Sequence, residues 1–107
     1  MKINNELLQQ IKSRIVGAYN PLAIFIFGSY IWGEPDKNSD IDLLVVVKDS
    51  KDKFHKRAIV GHKSLRGIKY PFDILVYTKN EFNDKLKNKI GLCNKIKERG
   101  KKIYGNI

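Results

Sequence analysis

Apolar residues recur at steps of three and four near the start of the chain: Ile3, Leu7, Leu8, Ile11 and Ile15. That spacing places them on one stripe, and it predicts an amphipathic helix over residues 4–18, stopped by Asn20-Pro21. The period then changes. Leu22 to Phe27 is an unbroken apolar, β-favouring run, too short for a helix and closed by Gly28. It predicts a strand buried on both faces. Ser29 to Glu34 reads as one helical turn with Ser29 as its cap, and a loop rich in turn residues, 33–39, follows.

A second strand is expected over residues 41–48. Within 51–66, Phe54, Ala58, Gly61 and Leu65 share one helical stripe, with Lys and Arg around it. Pro71 opens a third strand, 72–77. Thr78-Lys79-Asn80-Glu81 fits a capping box, and Phe82, Leu86, Ile90, Cys93 and Ile96 form a seam that predicts one helix ending at Gly100, bent at Gly91. Lys102-Ile103-Tyr104 would add an edge strand. The order is α-β-α-β-α-β-α with a closing β, without repeats or linkers, so residues 1–107 are expected to form one domain.

Composition changes this picture in two places. No stretch approaches the roughly 18 apolar residues of a membrane span, and the first residues lack the apolar stretch of a signal peptide, so a cytoplasmic protein is expected. The net charge of +10 is uneven: residues 1–47 carry four Lys/Arg against five Asp/Glu, and residues 48–107 carry seventeen against six. A field of that sign attracts polyanions such as nucleoside triphosphates, nucleic acid or an acidic protein surface, although a solvated Lys-rich surface gives the same count. Seventeen of the 21 cations are Lys, whereas shaped phosphate recognition favours Arg. The single Cys93 falls at a core spacing and is expected to be a buried thiol. His55 and His62 are expected to be solvated or partly packed, and one Cys with two His gives no zinc site.

The chemistry concentrates in Phe27-Gly28-Ser29, ten further residues, and Asp40-Ile41-Asp42. Side chains alternate along a strand, so Asp40 and Asp42 project to one side at the start of strand two. Two carboxylates on one edge repel each other, and a divalent cation relieves them; hard oxygen ligands suit Mg²⁺ shared with substrate phosphates. Gly28 ends strand one without a Cβ, which lets backbone approach a phosphate, and Ser29 adds a hydroxyl and an amide. A third carboxylate, Asp73, stands inside the otherwise apolar run Phe72 to Val76, where ionisation is costly unless the group is paired or metal-bound. If strand three neighbours strand two, Asp73 completes a triad as metal ligand and base for an incoming hydroxyl.

Phe27-Gly28-Ser29 with Ser39-Asp40-Ile41-Asp42-Leu43-Leu44-Val45 resembles the signature of the minimal nucleotidyltransferases of the DNA polymerase beta superfamily. Gly33, Asp73 and a closing Gly100-x-x-x-Tyr104 extend the resemblance over nearly the whole chain. It implies an α+β fold with a mixed sheet flanked by helices, and transfer of a nucleoside monophosphate from an NTP, ATP foremost, to a hydroxyl. It also implies two Mg²⁺ ions. Carried over by position, Asp40, Asp42 and Asp73 would be the catalytic, metal-binding carboxylates; Gly28 and Ser29 would contact the triphosphate, with Ser39 as a further nucleotide-binding position. Where relatives carry a small and a basic residue after Gly-Ser, this chain has Tyr30-Ile31-Trp32. Trp32 is expected to pack on the core, with stacking on a base as the alternative, and Lys37 could substitute for the lost cation.

Larger members of the superfamily carry extra domains for the acceptor, and 107 residues leave little room for one. The resemblance therefore implies a partner protein as acceptor: a HEPN-type toxin modified on tyrosine with AMP, this chain acting as its antitoxin. Nucleotide addition to RNA or a small molecule is the second enzymatic reading, favoured by the basic half. A non-catalytic binding module that neutralises a partner by occlusion is a third, and the intact Asp40, Asp42 and Asp73 argue against it.

Overall fold

The computed structural model describes residues 3–36 and 38–106. Helix α1 spans Asn5–Tyr19; the side chain of Asn4 caps it by accepting the Leu7 N–H at 2.8 Å. It ends at Asn20, whose φ of 47° is the left-handed turn that an Asn adopts at low cost before Pro21 stops the helix. Ile11 and Ile15 form its buried stripe. Strand β1, Ala23–Phe27, is buried along its whole length, as an apolar run without alternation demands. After the short α2, Ser29–Trp32, come β2, Ile41–Val47, α3, Phe54–Ser64, and β3, Phe72–Thr78. Helices α4, Lys79–Leu86, and α5, Leu92–Arg99, lead to β4, Lys101–Gly105.

The four strands form one mixed sheet in the order β3-β2-β1-β4. β1 pairs antiparallel with β2 and with β4; β2 pairs parallel with β3, the connection between them running through α3 as a parallel pair requires. Each face of the sheet is covered. Ile24, Ile26, Ile41, Leu43, Val45, Ile74 and Val76 meet α1 on one side. Ala23, Phe25, Phe27, Leu44 and Val46 meet Phe82, Cys93 and Ile96 of α4 and α5 on the other. Each fully buried Val, Leu, Ile or Phe among them contributes about 1.5–3 kcal/mol, so both layers are needed to hold the sheet. Among the described residues, no helix is long and apolar enough to cross a membrane.

Two elements differ from the sequence expectation. The seam from Phe82 to Ile96 is carried by two helices. Ile90 is 93% exposed in the turn between them, where Asn88 accepts the Gly91 N–H at 3.1 Å and the Asn94 amide donates back to the Asn88 carbonyl. An Asn side chain that bonds locally to backbone competes with helix continuation, as Asn88 does by accepting the Ile90 N–H at 3.4 Å, and Gly91 follows. Helix α3 starts at Phe54, later than expected, after the Ser50 hydroxyl has accepted the Asp52 N–H at 3.2 Å. Its buried residues are Arg57 and Gly61, whereas Phe54 stays 43% exposed. Gly61 is needed there, because a Cβ would lie 2.8 Å from the Tyr19 hydroxyl and 2.9 Å from Ile74 Cδ1.

Arg57 locks the far end of the sheet. It donates to the carbonyls of Asp52 at 3.1 Å and Val76 at 3.3 Å, and it holds both carboxylate oxygens of Glu81 at 2.5 and 3.2 Å. Glu81 also completes the capping box with Thr78 at the start of α4.

Candidate active site

The site begins where β1 stops. Gly28 has a φ of +83°, a region open to glycine, and a Cβ there would overlap a carboxylate oxygen of Asp42 and lie 2.9 Å from its Cγ. Backbone and carboxylate therefore touch only because this position has no side chain. Asp42 sits in β2 between two register partners, Phe27 across the antiparallel pair and Asp73 across the parallel one. Register partners project to the same face, so Phe27, Asp42 and Asp73 form one row at the end of the sheet, on the side of α4 and α5. Asp40 lies two residues before Asp42, in the segment leading into β2.

Every residue of β2 is buried except Asp42, which is half-buried, while Asp40 and Asp73 are exposed. Burial first, then the charge of Asp73 and then that of Asp40, push the Asp42 carboxyl up to about 6. The Tyr30 phenol is also raised, by burial, then Tyr70, Asp36 and Asp40. Among the described residues, no three His, Cys, Asp or Glu side chains are gathered into a ready metal cage. The carboxylates instead stand side by side along the sheet end, a set of hard oxygen donors whose mutual repulsion a divalent cation relieves. The donor chemistry fits Mg²⁺ shared with phosphate oxygens.

The turn after β1 departs from the sequence reading. Gly28, not Ser29, occupies the cap position of α2: its carbonyl accepts the N–H groups of Ile31 and Trp32, each at 3.0 Å, and no side chain caps the turn. Ser29 is the first helical residue, and the Gly33 N–H closes the turn onto its carbonyl at 3.1 Å. The cap shifts because only glycine adopts the Gly28 conformation freely. Ser39 stands just before Asp40, its hydroxyl accepting the Asp36 N–H at 2.9 Å and so bracing the loop. Trp32 packs on Phe27 with ring centres 5.9 Å apart, as a core residue of the turn would. Lys37 lies outside the described residues. The cation that meets Trp32 is Lys95 of α5, 4.4 Å from the ring centre. Its position was not legible in the sequence, because no spacing links residue 95 to residue 32. His55 and His62 are exposed on α3, and Cys93 is buried, which raises its thiol.

The family described as "Polymerase beta, Nucleotidyltransferase" matches residues 9–106. The chain belongs to this family. Its α+β fold with a mixed four-stranded sheet is therefore the polymerase beta-like nucleotidyltransferase fold. A Methanocaldococcus jannaschii protein named "Putative protein adenylyltransferase" is 38% identical over 53 residues, 50% of this chain and 52% of that protein. The chain thus spans about half the length of that relative. Solved structures share the nucleotidyltransferase fold. A chain of a toxin-antitoxin crystallised with AMP-PNP superposes with a TM-score of 0.70 over 92% of this chain and 73% of its own length, at 23% identity. A chain of a mutant toxin-antitoxin MntA-HpeT gives a TM-score of 0.61 over 97% and 75%, at 21% identity. A Sulfolobus solfataricus protein called a "putative nucleotidyltransferase" gives 0.54 over 72% and 69%, at 26% identity.

Proposed function

We propose that this chain transfers a nucleoside monophosphate, AMP from ATP, to a hydroxyl of a partner protein, a tyrosine of a HEPN-type toxin for which it is the antitoxin. The observation that carries the reaction type is the close approach of Gly28 to Asp42, with Asp73 in register beside Asp42 and Asp40 two residues before it: a turn without a Cβ against a cluster of carboxylates at one sheet end. The acceptor and the biological role draw support from the relative named as a protein adenylyltransferase and from the toxin-antitoxin neighbours, one of them with AMP-PNP.

In this reading Asp40, Asp42 and Asp73 hold two Mg²⁺ ions, which when bound neutralise the charge of the triphosphate. Gly28 lets the triphosphate approach the backbone, and the Ser29 hydroxyl donates to a phosphate oxygen. The Ser39 hydroxyl keeps Asp40 in place by bracing the loop before it, and it lies at the rim for contact with the nucleotide. Asp73, exposed at the sheet end, takes the proton of the incoming hydroxyl. The hydroxyl oxygen forms a bond to the α-phosphorus as the bond from that phosphorus to the α,β-bridging oxygen breaks, and pyrophosphate leaves.

The test is incubation with α-labelled ATP, Mg²⁺ and the candidate partner, beside the Asp42→Asn variant. Label on partner tyrosine that disappears in the variant is the expected result. Label on RNA alone would overturn the protein acceptor, and neutralisation of the partner that survives Asp42→Asn would replace catalysis with occlusion.

A further inference from the structure

Most of the positive charge lies in residues 48–107, and α5 brings one of those cations to the carboxylate face of the sheet. The Lys95 ammonium stands over Trp32, and Trp32 packs on Phe27, the register partner of Asp42. Trp32 ends α2 three residues after Ser29, and residues three apart share one side of a helical turn. Lys95 is therefore held beside the surface that carries the Ser29 hydroxyl. An aromatic face attracts an ammonium without neutralising it, and among the described residues the ion pairs are Arg57–Glu81 and Lys87–Asp84, neither of which involves Lys95. Half-buried Trp32 fixes the place of the charge, while exposed Lys95 keeps it available to solvent and ligand.

A cation held over Trp32, a residue one helical turn from Ser29 and packed on the face that holds Asp42 and Asp73, suits the outer part of a polyanion whose inner part meets the carboxylate end. Resting on the nucleotidyl-transfer reading, we propose that Lys95, positioned by Trp32, binds the terminal phosphates of the nucleoside triphosphate. Charge delivered from α5 then does for the triphosphate what no residue of the apolar turn Tyr30-Ile31-Trp32 can do. It also favours departure of the pyrophosphate, whose negative charge grows as the bond to the α-phosphorus breaks.

The experiment measures binding of AMP-PNP with Mg²⁺ by equilibrium dialysis to the intact chain and to Lys95→Met, Lys95→Arg and Asp42→Asn, with thermal unfolding of each in parallel. Trp32 is the chain's one tryptophan, so its emission gives a second readout of the same binding in the intact chain. Lys95→Met is expected to weaken AMP-PNP binding about tenfold with an unfolding midpoint within about 2 °C of the parent, and Lys95→Arg to restore most of the affinity. Unchanged affinity in Lys95→Met, or a loss that tracks a lowered midpoint, overturns the assignment. If Asp42→Asn loses Mg²⁺-dependent binding while Lys95→Met binds as the parent does, the Lys95 assignment alone falls. If the intact chain binds no AMP-PNP in the presence of Mg²⁺, the nucleotidyl-transfer reading falls and takes this one with it.

Discussion

Asp42 and Glu81 are displaced in opposite directions, to about 6 and about 2, and they sit at opposite ends of the strand pair β2–β3. Glu81 is lowered chiefly by its hydrogen bonds to Arg57; burial opposes this, and the capping-box bonds with Thr78 and the Arg57 charge add to the lowering, so that the charged form is favoured on balance. Asp42 is raised by burial and by two carboxylates, and among the described residues no cationic residue pairs with it. One end of the sheet is satisfied by the chain itself. The other is left in conflict, and conflict that the chain does not resolve is where a ligand gains most by binding.

The sharpest way to break this comparison is Asp42→Asn. Transfer is expected to fall by about a thousandfold, measured as label incorporated at saturating ATP and Mg²⁺, because a charged oxygen donor is lost. Stability should move the other way: without divalent cation at neutral pH, Asp42→Asn is expected to unfold no earlier than the parent. After allowance for solvent screening the gain is at most about 1 kcal/mol. A clear loss of stability would mean that Asp42 is a structural residue.

Glu81→Gln tests the other end. Gln keeps the capping geometry but leaves the buried Arg57 without its counter-charge, so denaturant unfolding should show a loss of about 1–3 kcal/mol with transfer per folded molecule unchanged. Acid separates the two ends further. The Glu81 contribution is present above its unfolded value of 4.5 and is lost as pH falls toward 2. The Asp42 contribution is opposite in sign: it is fully present below 3.8 and is lost as pH rises through about 6. Thermal scans without divalent cation should therefore show a stabilising step between about pH 7 and 4 that Asp42→Asn lacks.

These two ends were unequally legible in the sequence. Gly28, Asp40, Asp42 and Asp73 could be read because each breaks a local pattern: a glycine closing an apolar run, an acid leading into a strand, and acids inside strands. One pairing assumption, β2 beside β3, was enough to gather them, and the register of Asp42 with Asp73 bears it out. Arg57 was not legible, since on a Lys- and Arg-rich helix nothing local distinguishes the one cation whose partner is 24 residues away. The gap between α4 and α5 escaped for a different reason. The turn at 87–91 preserves the phase of the seam, so Phe82, Cys93 and Ile96 still reach one core while Ile90 does not. The smallest predicted effect follows: Ile90→Asn should change stability by less than about 0.5 kcal/mol in denaturant unfolding, where a continuous helix would have lost several times that.

The pairing of β4 with β1 has a consequence for assembly. β1 delivers Gly28 to Asp42, yet one of its two edges is covered by a strand made long after it. During synthesis, β1 and β2 leave the ribosome with that edge bare, and Ala23 to Phe27 is the kind of apolar, uncharged strand that other chains can join. Docking of β4 ends that exposure and completes the sheet beneath the Gly28 turn, so the chain is sticky before it is competent, and the same late event ends both conditions.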